Sequence, residues 1–252
     1  MDAAVAEHFE REGWAVLPAL LSRDEIEATR AALARAAERS EASGRPTRMD
    51  ALDPGGRNVR VYDLIEHDPL FRELAVHPLV LEHVDALLGP DALLSNFTAN
   101  TALPGSGSMN AHCDQSTVMP EPWPEMWAMN AIWCLHDTDE GNGATRYLPG
   151  SHRFATFAEV PDDPTDGMRS FEAQAGSVIL MDGRLWHTSG ANTSADRERS
   201  LLFAFYTRSY LRPQTNSWRS IPADRQRALT PELQQLLALD FGNMAHGVYL
   251  TT

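Results

Sequence analysis

Two stretches of the chain share one pattern of residue types, HCD at 112–114 and HVD at 83–85. A histidine and an aspartate can each donate a ligand atom to a transition-metal ion. With nine histidines in 252 residues, chance supplies such a pair about as often as not, so the setting has to decide. HVD lies in LVLEHVDALL, where apolar residues recur at helical spacing. Side chains two apart on a helix point about 200° away from each other and cannot grip one ion. His83 and Asp85 are therefore expected on the surface of a helix. HCD lies in MNAHCDQ, which reads as extended, and in a strand residues two apart share a face. Asn110, His112 and Asp114 would line one side, with Met109, Ala111 and Cys113 on the other.

Two ligands rarely complete a catalytic metal site. The best third candidate is His187 in LMDGRLWHTSG, which follows the apolar run GSVILMD. Two histidines and one carboxylate on one face of an ion form the facial triad of non-haem Fe(II) oxygenases, which leaves positions open for chemistry. Among the other histidines, His67 and His77 abut helices, and His8 and His246 lie near the ends. His136, at a strand end beside acids, and His152, in a PGSH turn, remain rivals to His187 at this stage. Taken alone, HCD reads equally well as a histidine bonded to its neighbour, and His187 as a satisfied strand-end residue. Their joint placement ahead of a basic strand favours a metal. In that strand, Arg197 and Arg199 precede SLLFAFY and share one parity. An oxygenase of this kind uses 2-oxoglutarate, whose far carboxylate suits the planar fork of an arginine.

The elements that must position these residues fall into two textures. Up to residue 90 the signals are helical: 2–12, a helix to about 41 opened by the capping box Ser22-Arg23-Asp24-Glu25, then 69–76 and 78–88. WAVLPAL at 14–20 is a short extended piece, and 43–57 reads as a loop. From 92 onward short extended runs alternate with turn chemistry: 92–102, 109–114, 127–136, 144–149, 176–182 and 199–208. The segment 155–169 reads as a loop, and a last helix at 231–239 begins with Thr230 as its cap and Pro231 at its first position. Helices followed by strands argue for α+β with a mainly β core and a helical buttress. No linker interrupts it, so 1–252 is read as a single domain: a helical part to 90, a core over 91–210 and a C-terminal tail over 211–252.

Composition sets the outer bounds. A formal charge of −14 excludes the basic surface that nucleic acids or anionic membranes require. Two isolated cysteines, Cys113 and Cys134, form neither a disulfide framework nor a zinc motif and suit a reducing compartment. The first residues, MDAAVAEHFEREGW, are acidic where a signal peptide is basic, and no apolar run nears the ~20 residues of a membrane helix. A cytoplasmic protein acting on a small molecule is expected.

In ordered combination, AHCDQ (111–115), GATRYLPGSH (143–152), HTSGANTS (187–194) and RSLLFAFY (199–206) resemble the phytanoyl-CoA dioxygenase family. The likeness extends upstream through VYDLIEHDPLFRELAVHPLVLEHVDALLGPDALLSNFTAN, so it spans about residues 8–210. It implies a double-stranded β-helix (a jelly roll, cupin-like) with N-terminal helices packed on it. It also implies Fe(II), 2-oxoglutarate and O2 as the reaction's cofactors and co-substrates. His112, Asp114 and His187 fall at the family's iron-ligand positions. Thr145, Ser189 and Arg199 fall where 2-oxoglutarate is held. The turn ahead of Arg199 is one residue longer than usual, which keeps Arg197 as its alternative. Related halogenases carry Ala or Gly in place of the carboxylate ligand, so Asp114 implies oxygenation of carbon, most simply hydroxylation.

The segment STVMPEPWPEMW (116–127) suits a lid over a small, fairly apolar metabolite, such as a natural-product scaffold, and the loop over 43–61 could border the same entrance. No Lys/Arg cluster offers itself to a CoA phosphate. Two readings from other classes stand beside the oxygenase: a cupin-like metalloenzyme that does not use 2-oxoglutarate, and a non-catalytic ligand-binding β-barrel.

Overall fold

The structure is a computed structural model that describes residues 2–49, 51–53 and 55–239; the end of the expected tail, 240–252 with His246, lies outside the described residues. Helix α1 (Ala3–Glu12) is capped by Asp2 and stopped by Gly13 at φ 78°, from which β1 (Trp14–Leu17) departs. The capping box forms as expected: Ser22 and Glu25 satisfy each other's backbone N–H groups and open α2 (Arg23–Ala42). A short strand, β2 (Asn58–Val61), lies in the region bordering the expected loop. Helices α3 (Leu64–His67), α4 (Pro69–Ala75) and α5 (Pro78–Leu88) follow.

The β part comprises β3 (Leu93–Ala102), β4 (Ala128–Cys134), β5 (Thr145–Tyr147), β6 (Arg169–Ser170), β7 (Val178–Asp182), β8 (His187–Ser189) and β9 (Arg199–Thr207). Short helices α6 (Ser217–Ser220), α7 (Ala223–Ala228) and α8 (Pro231–Leu236) end the described chain. Thr230 caps α8 and Pro231 occupies its first turn, as the sequence indicated. No helix among the described residues is long and apolar enough to cross a membrane.

Six strands form one antiparallel sheet in the order β1-β7-β4-β9-β3-β2, and three short ones form a second, β6-β5-β8. This is the expected α+β architecture, a jelly roll buttressed by the N-terminal helices. Pleating gives the large sheet two distinct faces. Met129, Ala131, Trp133, Val178, Leu180, Leu202, Ala204 and Tyr206 share the outer face and one core with Leu33, Phe71, Val80 and Val84 of the helices. The Tyr206 hydroxyl donates to the Ala75 carbonyl at 2.8 Å, tying the sheet to α4. Ile132, Cys134, Ile179, Met181 and Leu201 alternate with these and face inward, packing on Tyr147, Phe171 and Leu185.

Two expectations change. The segment 109–114 is not a strand. Its ladder is reduced to a single antiparallel pair between His112 and His187, because β8 offers only three residues and the chain turns into a 3-10 turn at Asp114–Thr117. His83 is not on the surface: it lies on the buried stripe Val80, His83, Val84, Leu88 of α5, the helical spacing itself, and its Nδ1 donates to the Leu79 carbonyl at 2.6 Å. Asp85 faces outward, so this pair still holds no common ion.

Candidate active site

His112 and His187 are joined by backbone before they meet as side chains. Each donates its N–H to the other's carbonyl, at 2.9 and 2.8 Å, and their ring centroids are 4.4 Å apart. Both imidazoles are held by the same device. Nδ1 of His112 meets the Asn110 carbonyl at 3.0 Å, and Nδ1 of His187 meets the Leu185 carbonyl at 2.9 Å, in each case two residues back. A carbonyl only accepts, so the proton sits on Nδ1 and the Nε2 lone pair is left free for a metal. Each Nε2 lies 3.8 Å from Oδ1 of Asp114, too far to hydrogen-bond and close enough to share an ion. Burial pulls His187 well below the ordinary histidine range, with Asp114 opposing and His112 adding to the fall, so it is neutral as a ligand must be.

Among the described residues, these three are the one group of His, Cys, Asp and Glu side chains compact enough to hold an ion, their ligand atoms all lying within 4.8 Å of one another. The rivals are engaged elsewhere. His136 accepts from Ser200 N–H at 3.1 Å, and burial, aided by Arg30 and Arg199, lowers it to about 4. His152 packs against Gly13 and contacts the Glu10 carbonyl.

Behind these three side chains lies a cavity of about 180 Å³, lined by Arg60, Thr145, Ser189, Arg199, Phe203 and Phe205 among others. Thr145 and Ser189 sit opposite each other on β5 and β8, two rows beyond the Tyr147–His187 pair. Close approach of these strands depends on glycine: Gly143 is at φ 82°, and a Cβ there would stand 2.9 Å from the Gly190 carbonyl. The Gly143 carbonyl accepts from Arg199 Nη2 at 2.6 Å.

Arg199 is 1% exposed, and among the described residues its Nε has no partner and it forms no ion pair with a carboxylate. Burial lowers it to about 10, still a cation at neutral pH. A buried guanidinium without an anion is costly, and this one lines the cavity. Arg197, its rival in the sequence, is half exposed and paired with Asp139 at 2.5 and 3.0 Å. Asn192 sets this difference. Its Nδ2 donates to the carbonyls of Ala102 and Arg197, so the longer turn is pinned and β9 begins with Arg199 facing inward.

The sequence reading missed Arg60, Asn96, Asn100, Asn130 and Gln214, which also line the cavity. Arg60 is held by Asp53 at 2.6 and 2.9 Å. A signal was present, since Asn96, Thr98 and Asn100 alternate along β3 and Asn130 interrupts the apolar run AMNAIWC. The expected lid is displaced. Trp123 is buried against Cys113 and Trp186, its Nε1 donating to the Val118 carbonyl, and no residue of 116–127 lines the cavity. This segment supports the back of the HCD stretch. The cavity opens instead past Asn96, Thr98 and Gln214 into an outer cleft of about 510 Å³ bounded by Tyr62, Asn216 and Arg219. Both cysteines are free and burial pushes their thiols up, Cys113 to about 11 and Cys134 to about 12.

Comparison with known families matches residues 9–200 to phytanoyl-CoA dioxygenase. The chain belongs to this family. It is a non-haem Fe(II)/2-oxoglutarate-dependent dioxygenase. It is 46% identical over 232 residues to dioxygenase af480 of Aspergillus fumigatus, covering 92% of this chain and 75% of that protein. Ectoine dioxygenase of Halomonas elongata is 26% identical over 82% of this chain and 70% of its own. Among solved structures, HygX of Streptomyces hygroscopicus, with nickel and 2-oxoglutarate bound, superposes with a TM-score of 0.68 at 18% identity, covering 84% of this chain and 89% of HygX. The 2-oxoglutarate-dependent epimerase SnoN from nogalamycin biosynthesis gives 0.67 at 20% identity, covering 88% of each chain. At these identities the structural likeness speaks for the family's jelly-roll fold.

Proposed function

We propose that this dioxygenase hydroxylates a C–H bond of a small, fairly apolar metabolite of the natural-product kind, with Fe(II) held by His112, Asp114 and His187. The observation that carries this reading is one cavity with two complementary walls. One presents two Nε2 atoms and a carboxylate oxygen, and the other presents a buried cation without a counter-ion among the described residues.

With iron, 2-oxoglutarate and O2 bound, the site supplies an oxidant for the substrate C–H bond through decarboxylation of 2-oxoglutarate to succinate and CO2. The chain's own residues position and exclude. Arg199 gives the far carboxylate of 2-oxoglutarate a charge-assisted partner, and Thr145 and Ser189 add hydroxyls from the facing pair of short strands. Ser189 Oγ is buried and has no hydrogen-bond partner among the described residues. Phe203, Phe205 and Met109 offer the apolar surface for the substrate near the metal. Substrate enters from the outer cleft, whose polar rim at Asn96, Thr98 and Gln214 suits an oxygen-bearing end. With Asp114 in place, the reaction oxygenates carbon and does not halogenate it.

The test is a metabolite screen read as O2-dependent succinate formation. Coupled turnover should be strongest with apolar scaffolds bearing a hydroxyl or carbonyl. Stimulation only by highly charged compounds such as CoA thioesters would refute the substrate class.

A further inference from the structure

Strand β4 is wholly buried, and its sequence AMNAIWC contains a single polar residue, Asn130. Burying a carboxamide in an apolar strand costs roughly 1–3 kcal/mol unless its hydrogen bonds are made. Asn130 makes one such bond, and it goes to the metal site: Nδ2 donates to Oδ2 of Asp114 at 2.5 Å. Its Oδ1 is buried with no partner among the described residues. On its own sheet it faces Phe205 of β9 and Met181 of β7, neither of which offers a side-chain hydrogen bond. Among the described residues, Asp114 is the one side chain that accounts for an amide here.

The two oxygens of Asp114 are thereby distinguished. Oδ1 is the one equidistant from both histidine Nε2 atoms, at 3.8 Å, while Oδ2 is turned away and tied to the strand. The carboxylate only accepts, so the amide cannot be flipped: its NH2 must face Asp114 and its Oδ1 must face elsewhere. Asp114 needs this restraint because it stands at the first position of a 3-10 turn, outside any β-ladder, where its own backbone holds it less firmly than β8 holds His187.

We propose that Asn130 is a positioning residue that locks Asp114 as a one-oxygen ligand, with Oδ1 toward the metal and Oδ2 withheld. The proposal rests on the reading of His112, Asp114 and His187 as the metal site. A carboxylate free to turn would spread over two coordination positions or leave the ion, and the open positions that 2-oxoglutarate and O2 require would be compromised.

The experiment is calorimetric titration of metal-free protein with Co(II), a redox-stable stand-in, for the wild type, Asn130→Leu, Asn130→Ala, Ile132→Ala and Asp114→Ala. Ile132 lies two residues along the same inward face, so its truncation loosens the strand without touching Asp114. Metal-free melting temperatures show which variants fold, and Asn130→Leu, which fills the volume, is expected to melt no lower than wild type. Loss of the outer partner should weaken Co(II) binding about 10–100-fold in both Asn130 variants, with Ile132→Ala staying near wild type. Wild-type affinity in a folded Asn130→Leu protein, or an equal loss in Ile132→Ala, would overturn the proposal. If wild type and Asp114→Ala bind Co(II) alike, the assignment of the metal site fails first, and this proposal falls with it.

Discussion

The two ends of the jelly-roll interior are built on the same pleat and filled in opposite ways. Toward β1 and β7 the inward positions are Ile132, Ile179 and Met181, packed against Tyr147, Phe171 and Leu185, with the Tyr147 and Phe171 rings stacked at 4.5 Å. Toward β2, β3 and β9 the same inward positions carry Arg60, Asn96, Thr98, Asn100 and Arg199, and the interior is hollow. The two ends meet on single rungs of the sheet: Asn100 pairs with Leu201, and Asn130 with Phe205 and Met181. One end therefore carries stability. At the other, Asn100 Oδ1 and Arg199 Nε are buried with no hydrogen-bond partner among the described residues, which costs stability.

That division can be broken experimentally, beginning with its largest effect. Asp114→Ala or His187→Ala should reduce 2-oxoglutarate-dependent O2 consumption about a thousandfold or more, roughly 4 kcal/mol in the barrier. The metal-free melting temperature should hardly change. Retained turnover in either would move the metal site elsewhere. At the packed end the signs reverse: Phe171→Ala should cost about 3–5 kcal/mol in urea unfolding. In the protein that remains folded, the 2-oxoglutarate requirement should stay the same.

Arg199→Leu tests the hollow end by affinity. Losing charge-assisted bonds worth about 1.5–3 kcal/mol should raise the 2-oxoglutarate requirement roughly 10–100-fold. The same change should leave the ligand-free fold as stable or more so, because a buried unpaired charge is removed. Arg197→Ala should do neither, since its partner Asp139 is a surface group. If Arg197→Ala raises the requirement and Arg199→Leu does not, the inward facing of β9 is refuted.

The smallest effect is one of pH. His136 is held at about 4, below its ordinary 6.5, mainly by burial. As pH falls below 6.5 the unfolded chain takes a proton that the folded chain refuses, so stability drops until about pH 4 and then levels off. Partial exposure limits the loss to roughly 2 kcal/mol. His136→Asn, which keeps an acceptor for Ser200 N–H, should flatten the urea-unfolding profile between pH 6.5 and 4. An unchanged slope would show that other groups carry it.

Much of this was legible before the fold. The capping box, the cap at Thr230, the apolar strands and the pairing of HCD with His187 follow from local chemistry and strand periodicity. The failures share one cause, which is that they depend on what a residue packs against. The segment 109–114 looked like a strand but found only three residues of β8 to pair with. The Trp-rich 116–127 looked like a lid, yet Trp123 found a niche behind Cys113. Arg197 and Arg199 have the same parity, and only the Asn192 turn assigns one to solvent and the other to the interior. Asn130 was visible as an oddity in AMNAIWC, but its partner sits 16 residues away on a turn.

The central claim is that one cavity holds Fe(II) at His112, Asp114 and His187 and 2-oxoglutarate against Arg199. Anaerobic addition of Fe(II) and 2-oxoglutarate to the protein tests it most directly. A weak visible metal-to-ligand charge-transfer band should appear in wild type, require higher 2-oxoglutarate in Arg199→Leu, and be absent in His187→Ala. No band in wild type, with no succinate formed on admitting O2, would contradict the account.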